Sequence, residues 1–504
     1  MRRPWVAALV VLAAGLGAGA VFLTRASRVA EPPIVPTRLF EQVFGHIQRF
    51  GVDSLPTSEL YRRASSGLLR QLDDEYAMLL PEGGVATEAA DVGGLGLLLT
   101  TRDDRVVVLG VLPDSPAERA GIVPGDQLLE VGGQPLDASR RDLLLAALNG
   151  PAGSTVRVRL RSPGVAPMVT VDLARERPRL SVVSPSVVID SGIGYVALSL
   201  IGTGAAQALE LRLADLATRR INRLVLDLRG ASLGTLNEAV AVAELFLDRD
   251  RVVAQVRGRE PQPRSYLDGA VQAYPDLRIV VLVDSGTADA GEVVAGALQD
   301  NDRALVVGEP TFGRGLSLET FPLNDRMNIR ISTARWYTPS GRLIQRDSAT
   351  TDTLARRPRV RTSGGRTVFG GGGIVPDSVV RPDSLPGPQQ LLRRTVGASL
   401  PGYRGALHQV AQEIAAAGSV TERYQPSARD RDRLLAGLSE GKVLLPRDTF
   451  EGGAALVDRD LGDEVVRLAL GSEALLRRRA ARDPLVRLAV SRLRQPLLFD
   501  DPNP

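Results

Sequence analysis

The sequence predicts an α/β protein whose core is a largely parallel sheet, with helices and a β-rich region before it and a helical extension after it. Between residues 192 and 309, short and continuously apolar runs alternate with helical patterns, which is typical of strands buried on both faces of a sheet. Residues 155–161 alternate strictly between apolar and polar side chains, which predicts a half-buried strand outside that sheet. From residue 386 onward the pattern is helical and rich in Leu and Arg.

The composition excludes several classes of protein. With 504 residues, 44% of them apolar and 24% charged, the chain has room for two to four folded domains and is not a disordered protein. The absence of Cys excludes a thiolate nucleophile and Cys-ligated metal, and His46 and His408 are the only histidines. We therefore expect no metal or cofactor. The net charge of +4 is spread along the chain, so no nucleic-acid partner is expected.

The basic residues are almost all arginine, and Lys442 is the only lysine. Arginine keeps its proton at any working pH and cannot act as a general base. Any mechanism that needs a neutral amine therefore has one candidate side chain in the chain.

The N-terminus has the pattern of a membrane segment. Arg2 and Arg3 precede an uncharged apolar run from Trp5 to Leu23. This length suits a spanning helix, and the preceding positive charge favours an orientation with the body outside the cytoplasm. Residues 1–24 are predicted to be a signal-anchor or transmembrane helix in a bacterial inner membrane, with the body in the periplasm. Cleavage, which would make the protein secreted, remains the alternative.

The predicted domains follow the changes in pattern along the chain. Residues 37–90 form an N-terminal helical region, and 91–164 a β-rich domain with two helices, the second of which (139–149) ends at Gly150. Residues 180–385 form the α/β core. Residues 386–504 form the helical extension, which is expected to pack on the core, to form a dimer interface or to lie on a membrane.

Two stretches carry a family resemblance. DSPAERAGIVPGDQLLEVGGQPL (114–136) resembles the PDZ domain of bacterial processing proteases. LVLDLRGASLG (224–234), EVVAGALQDNDRALVVGEPTFGRG (292–315), ISTARWYTPSGRLIQR (331–346) and GGGIVPDSVV (371–380) resemble the core of the C-terminal processing, or tail-specific, serine peptidases. The resemblance implies a PDZ domain inserted before an α/β peptidase core, and it covers roughly residues 37–380.

The family's catalytic positions are substituted in this chain. The resemblance implies a serine at the start of a helix, a lysine that takes its proton, and a glutamine that positions the lysine. Those positions are Asp289, Arg314 and Leu318 here, and the loop that supplies oxyanion donors contains Leu233 beside Gly234. No catalytically competent set remains, which predicts an inactive active site.

Other residues offer weak replacements. Ser285, Thr287 and Ser317 are hydroxyls near the substituted positions, and an endopeptidase with such a displaced nucleophile is the alternative hypothesis. Lys442, His46 and His408 lie in helical regions outside the core and are not expected to act as bases.

The substitutions also have a structural interpretation. Asp289 is expected to begin a helix, where its carboxylate would cap free N–H groups. Arg314 would lie opposite, so that an ion pair with a separation below about 6 Å replaces the Ser–Lys pair.

The PDZ-like region retains its binding features. Gly94, Leu95, Gly96 and Leu97 occupy the place of the carboxylate-binding loop, and Leu143, Leu144 and Leu148 would line the apolar pocket for the last side chain of a peptide. Some of these leucines would alternatively fill the domain core.

Three functional hypotheses follow from the sequence. The first is a membrane-anchored, inactive, tail-specific-protease-like protein that binds C-terminal tails of extracytoplasmic proteins and acts as an adaptor or regulator, with an active protease relative as a possible partner. The second is the active endopeptidase with a displaced nucleophile. The third is a structural envelope protein, which a PDZ groove blocked by its own side chains would favour.

Overall fold

The structure is a computed structural model that describes residues 35–495. Its gaps are residues 73, 75, 82–91, 103–104, 112–114, 121, 123–125, 137–147, 149, 162–167, 177–182, 260–262, 325–326, 347–356, 381–385, 398 and 442. The chain divides into two compact units, residues 1–75 and 76–504. Several predicted residues lie outside the described ranges: the apolar run from Trp5 to Leu23, Leu143, Leu144 and Lys442. In the part of the chain that the structure describes, no helix has the length and apolarity needed to cross a membrane.

The first unit contains two amphipathic helices. They are α1 (Val35–Phe50) and α2 (Thr57–Arg70). The Phe44 and Tyr61 rings, with centroids 4.2 Å apart, join the two helices. In the helical region predicted for residues 37–90, the described helices end at Arg70, and residues 78–81 form a strand that pairs with residues 327–330.

The PDZ region is a small antiparallel sheet with its own core. Its elements are β2 (Val92–Gly93), β3 (Leu97–Arg102), β4 (Arg105–Val111), α3 (Pro116–Arg119), β5 (Gln127–Val131), β6 (Gln134–Pro135), β7 (Gly150–Pro151), β8 (Thr155–Arg161) and β9 (Val169–Ala174). The strand order is β3-β4-β5-β8-β9, so β3 is an edge strand. Burial alternates along β8, as its sequence pattern predicts.

The core contains the predicted parallel sheet. Its strands are β10 (Val187–Asp190), β11 (Ile193–Ala197), β12 (Arg223–Asp227), β15 (Arg278–Val283), β16 (Ala304–Gly308) and β21 (Ser378–Val379), in this spatial order. All neighbouring pairs are parallel except β10 with β11. The intervening helices are α4 (Ala205–Thr218), α5 (Leu236–Glu244) and α6 (Ala290–Asp300).

A second, antiparallel sheet adjoins the parallel one. Its strands are β1 (Met78–Pro81), β13 (Val252–Gly258), β14 (Arg264–Leu267), β17 (Leu316–Asn324) and β18 (Met327–Tyr337), and β18 pairs with β1, β13 and β17. A two-stranded ladder of β19 (Arg359–Arg361) and β20 (Thr367–Phe369) follows.

Both faces of the parallel sheet are covered. Alternate residues of each strand belong to different clusters: Leu224 and Leu226 pack with α4, α5 and α6, whereas Val225 faces the other side. There it packs with Leu485, Val486 and other apolar residues near the end of the chain. This double coverage explains the continuously apolar strand sequences.

The C-terminal extension is helical, as predicted. Its elements are α7 (Gly387–Gly397), α8 (Leu400–Ala416), α9 (Ala428–Glu440), α10 (Arg447–Gly452), α11 (Ala454–Arg482, with non-helical backbone at Gly471) and α12 (Pro484–Arg494). Helices α7 to α11 enclose a separate apolar core. Helix α12 covers the open face of the parallel sheet, so at least this part of the extension packs on the core.

Candidate functional site

The centre of the candidate site is a strained turn between β15 and α6. Asp289 immediately precedes α6 with φ 47° and ψ −116°, a conformation that non-glycine residues rarely adopt. The turn lies against the loop after β12: a Cβ added to Gly291 would lie 2.4 Å from the Ala231 carbonyl oxygen, and one added to Gly234 would lie 2.7 Å from the Ala290 Cβ. A sharp strand-to-helix turn of this kind presents one side chain at the start of a helix.

The side chain presented there is ion-paired. The Arg314 guanidinium donates to the Asp289 carboxylate, and the two side chains are 16% and 21% exposed. The guanidinium carbon also lies 5.1 Å from the centroid of the Tyr76 ring and 5.5 Å from that of Phe312. The predicted Asp289–Arg314 pair is therefore confirmed.

The predicted helix cap is wrong. Asp289 occupies the N-cap position of α6, but its side chain accepts no hydrogen bond from the backbone of the helix. An N-cap side chain normally extends from β-region backbone, whereas the positive φ of Asp289 belongs to a different conformation. The carboxylate is directed instead to Arg314.

A second carboxylate lies behind the pair. Glu292 in the first turn of α6 is completely buried, and it accepts hydrogen bonds from the Thr311 hydroxyl (2.6 Å), the Gly313 N–H (2.6 Å) and the Arg314 N–H (3.1 Å). It thereby holds the turn that carries Arg314. Burial raises the pKa of Glu292 to about 7, against the opposing effect of these hydrogen bonds.

The electrostatics of the pair do not supply a general base. Burial raises the pKa of Asp289 above its ordinary value, while Arg314 and Arg330 act in the opposite direction. Burial acts to lower the pKa of Arg314, but Asp289 together with Tyr76 and Glu292 outweighs it, and the pKa lies above the usual range. Arg314 therefore stays protonated and cannot accept a proton.

The loop with Leu233 and Gly234 adjoins this turn, whereas Leu318 lies on the strand after Arg314. Gly234 has φ 155° and adjoins the start of α6, and the Leu233 carbonyl accepts from the Ile201 N–H at 3.0 Å. Leu318 is partly buried in β17, opposite Ser332 of β18. The structure thus brings Asp289, Arg314 and Gly234 to one place, with Leu318 on the strand that follows.

The alternative hydroxyls are poorly placed as nucleophiles. Thr287 is completely buried and donates to the Leu228 carbonyl at 2.8 Å. Ser285 is exposed, and its hydroxyl lies 3.5 Å from a Glu309 carboxylate oxygen. Ser317 lies in β17 opposite Ala334. None of these contacts supplies a neutral imidazole or amine.

The two histidines are accounted for elsewhere. His46 lies in α1 of the first unit, where its ring stacks on Phe50 at 5.7 Å between centroids. His408 lies in α8, with Nδ1 2.6 Å from a Glu464 carboxylate oxygen.

Sequence reasoning missed a polar cluster beside the oxyanion loop. Asp227, at the end of β12, accepts from the Tyr195 hydroxyl (2.7 Å) and from Arg229, which also donates to Asp483 at 2.8 Å. Asp483 is the N-cap of α12 and accepts from the Leu485 N–H. The loop after β12 is therefore tied to the C-terminal extension. The Asp-Pro pair that begins α12 can be read from the sequence. Its ion pair with Arg229, 254 residues earlier in the chain, cannot.

The predicted peptide-binding residues fall into two groups. Leu95 and Leu148 are 3% and 7% exposed and belong to the core of the PDZ region, where the Leu95 carbonyl accepts from the Ala117 N–H. Gly94 forms an isolated antiparallel backbone pair with Glu176. Gly96 has a positive φ of 75°, and Leu97 is the first residue of the edge strand β3. The glycines and Leu97 thus lie beside a strand edge to which a peptide could add.

Two family profiles match the chain. Residues 192–354 match Peptidase family S41, and residues 107–162 match the PDZ domain. The first match contains the strained turn, the Arg314 turn and β12. The second contains most strands of the small antiparallel sheet.

Individual relatives agree with these profiles. A carboxyl-terminal-processing protease of Picosynechococcus sp. is 34% identical over 300 residues, which are 58% of this chain and 72% of the relative. A carboxy-terminal-processing protease of Bartonella bacilliformis is 28% identical over 327 residues, covering 63% and 75% of the two chains. Among solved structures, a photosystem II D1 C-terminal processing protease superposes with a TM-score of 0.54 at 26% identity, over 72% of this chain and 91% of the other.

Proposed function

Because the chain belongs to the carboxyl-terminal-processing protease family, we propose that it is a member that binds C-terminal peptide tails through its PDZ domain without cleaving them. It would act as an adaptor or regulator. An active protease of the same family is the natural partner for such a role, because both would recognise the same tails.

The observation that carries this proposal is the Asp289–Arg314 pair. Hydrolysis by the family's chemistry needs a hydroxyl that attacks and a base that takes its proton. Here a carboxylate occupies the strained turn and a permanently charged guanidinium neutralises it. Attack of the carboxylate on an amide would form a high-energy anhydride, and Arg314, in the position of the lysine, cannot take a proton from a displaced hydroxyl. In this proposal the fold of the family is kept, while the nucleophile and the base are replaced by Asp289 and Arg314.

The PDZ region supports the binding half of the proposal. Its edge strand β3 begins directly after Gly96, where backbone N–H groups can meet a peptide carboxylate. Such binding uses main-chain hydrogen bonds along the edge and needs none of the peptidase residues.

We place the protein at a bacterial inner membrane, with its body in the periplasm. The support is the sequence alone: Arg2 and Arg3 precede the uncharged run from Trp5 to Leu23. Substrates or partners would then be extracytoplasmic proteins. Fractionation of cells that express a C-terminally tagged chain would test this placement, and recovery in the soluble cytoplasmic fraction would contradict it.

The decisive experiment compares purified residues 30–504 with the triple revertant Asp289→Ser, Arg314→Lys, Leu318→Gln. The substrate is an unstructured protein with an apolar C-terminus, and cleavage is followed by mass spectrometry. We expect no cleavage by the unchanged chain. A revertant that cleaves would show that only the catalytic positions were lost, and the single variant Leu318→Gln is the matched control that should stay inactive.

Peptide binding is measured on the same preparations by calorimetry. A peptide with an apolar last residue should bind with a free C-terminal carboxylate and lose at least tenfold in affinity as its amide, since the carboxylate–backbone bonds are removed. Equal binding of both forms would contradict the tail-binding role. Cleavage by the unchanged chain that disappears in Ser285→Ala or Ser317→Ala would establish the displaced-nucleophile alternative, which the protease names of the relatives favour.

A further inference from the structure

Two arginines lie directly opposite each other on the second, antiparallel sheet. Arg257 of β13 pairs in register with Arg335 of β18, and cross-strand partners of this kind have Cα atoms about 5 Å apart. Both side chains are exposed. Their neighbours Val256 and Trp336, which also pair in register, pack into the core, so the two arginines lie on the solvent face of the sheet.

Neither arginine has an acidic partner within the described ranges of the chain. Arg257 donates to Gln255 Oε1 at 3.1 Å, and Arg335 donates to Gln345 Oε1 at 2.9 Å. Like charges directly opposite each other in a sheet repel, and two neutral amide oxygens do not compensate them. Each guanidinium carries five N–H donors, so both keep donors that an anion can use.

An aromatic ring holds one member of the pair in place. The guanidinium carbon of Arg257 lies 4.1 Å from the centroid of the Tyr337 ring. Stacking of this kind fixes the plane of the guanidinium and leaves the N–H groups at its edge for a carboxylate or phosphate. Arg257 is therefore oriented before any ligand binds.

The pair adjoins the turn that carries Arg314. Arg335 lies opposite Leu316, which is the first residue of β17 and follows Arg314 by two positions. Gln345, which accepts from Arg335, packs against Gly315 so closely that a Cβ added to the glycine would lie 2.6 Å from the Gln345 backbone nitrogen. A peptide that lies over the candidate site would therefore have the two arginines beside it.

We propose that Arg257 and Arg335 bind the carboxylates of acidic side chains in a peptide tail. The inference rests on the proposed tail-binding function and adds a class of tail, one that carries Asp or Glu before its last residue. A planar guanidinium binds a carboxylate through two parallel hydrogen bonds. One carboxylate between the two arginines would also offset their repulsion. The terminal carboxylate of the tail stays assigned to the PDZ region, so the two sites bind different groups.

Calorimetry on the full chain with two peptides of equal length tests the proposal. Both peptides end in the same apolar residue with a free carboxylate, and one carries Asp and Glu at interior positions where the other carries Asn and Gln. We expect the acidic peptide to bind about tenfold more tightly. Arg257→Gln or Arg335→Gln should reduce its affinity about threefold, and the double variant should bind both peptides equally.

The matched control is Arg264→Gln on the neighbouring strand β14. Arg264 is also exposed and lies over an aromatic ring, 5.0 Å from the centroid of Tyr266. It pairs in register with Val256, however, and so belongs to the opposite face of the sheet. Its replacement should leave both affinities unchanged.

The outcomes separate this inference from the function on which it rests. Equal binding of the two peptides by the unchanged chain, or the same loss of affinity in Arg264→Gln as in Arg257→Gln, would overturn the carboxylate site alone. Binding of neither peptide would contradict the tail-binding function itself. A phosphoserine peptide that binds more than tenfold more tightly than the acidic one would assign the pair to phosphate and overturn the choice of carboxylates.

Thermal unfolding distinguishes a binding role from a structural one. If the pair serves a ligand, removing its repulsion in the double variant should leave the unfolding midpoint unchanged or higher. The acidic peptide should raise the midpoint of the unchanged chain more than that of the double variant. A midpoint that falls in the double variant without peptide would show that the arginines support the sheet and would overturn the proposal.

Discussion

At the residue scale, the candidate site combines a strained backbone with a largely buried ion pair. Asp289 keeps a strained backbone, and the neighbouring Gly291 leaves no room for a side chain against Ala231. Such strain costs on the order of 1–3 kcal/mol and persists only where the surrounding packing imposes it. The ion pair with Arg314 is one contact that satisfies a carboxylate in that position.

Removing one partner of this pair is expected to be costly. Arg314→Met should lower the free energy of unfolding by about 2–4 kcal/mol, because Asp289 is left in a largely buried site without its cation. The control is Arg314→Met with Asp289→Asn, whose neutral amide tolerates positive φ and should recover most of the loss. Urea denaturation of both variants measures this, and equal losses would show that the pair is not coupled.

The buried Glu292 predicts a dependence of stability on pH. Its pKa is about 7 in the folded protein against 4.5 in the unfolded chain. Between these values the unfolded chain releases the proton while the folded protein keeps it, so stability falls as pH rises from 4.5 to 7. The total loss is roughly 3 kcal/mol. Glu292→Gln should flatten this slope in urea denaturation at several pH values, and an unchanged slope would contradict the assignment.

At the element scale, α12, the last helix of the C-terminal extension, is joined to the loop after β12. Its N-cap residue Asp483 accepts hydrogen bonds from the Leu485 N–H and from the Arg229 guanidinium. The same guanidinium also donates to the Asp227 carboxylate. A single side chain therefore begins a helix and anchors the loop that carries Gly234. The loop after β12 and the C-terminal extension are thus neighbours in this chain.

Two substitutions separate the functions of Asp483. Asp483→Asn keeps a helix cap and weakens the bond to Arg229, whereas Asp483→Ala removes both and should cost about 1 kcal/mol more. Hydrogen exchange should show faster exchange in the loop 228–234 for both variants, and in the first turn of α12 for the alanine variant only. Identical exchange patterns would mean that the cap and the ion pair act together.

At the scale of the whole molecule, the extension completes the core. Leu485, Val486, Ala489 and Leu493 cover the face of the parallel sheet opposite α4, α5 and α6. The chain is therefore not a peptidase-like core with an independent appendage. The sheet would expose a continuous apolar surface without α12.

Truncation after residue 384 should prevent stable folding of the core. We expect aggregation and strong binding of a hydrophobic dye, because buried side chains such as Val225, Val280 and Leu282 become exposed. The control is truncation after Gln495, which keeps α12 and should remain monodisperse in gel filtration. A monodisperse, folded protein ending at residue 384 would show that the extension is dispensable.

Most of the architecture could be predicted from the sequence because its signals are local. The short apolar runs between residues 192 and 309 correspond to β11, β12, β15 and β16. Their length and flanking helices identify a parallel sheet. The Asp289–Arg314 pair was also predicted, but by the family resemblance rather than by spacing, since 25 residues separate the two.

The sequence by itself therefore determined the fold class and the family, because these depend on residue identity and on short-range pattern. Only the tertiary structure decided that Asp289 caps no helix, that Glu292 holds the Arg314 turn, and that Arg229 meets Asp483. These facts depend on backbone angles and on contacts between residues up to 254 positions apart. Such contacts are set by the packing of whole elements, and no local pattern encodes them.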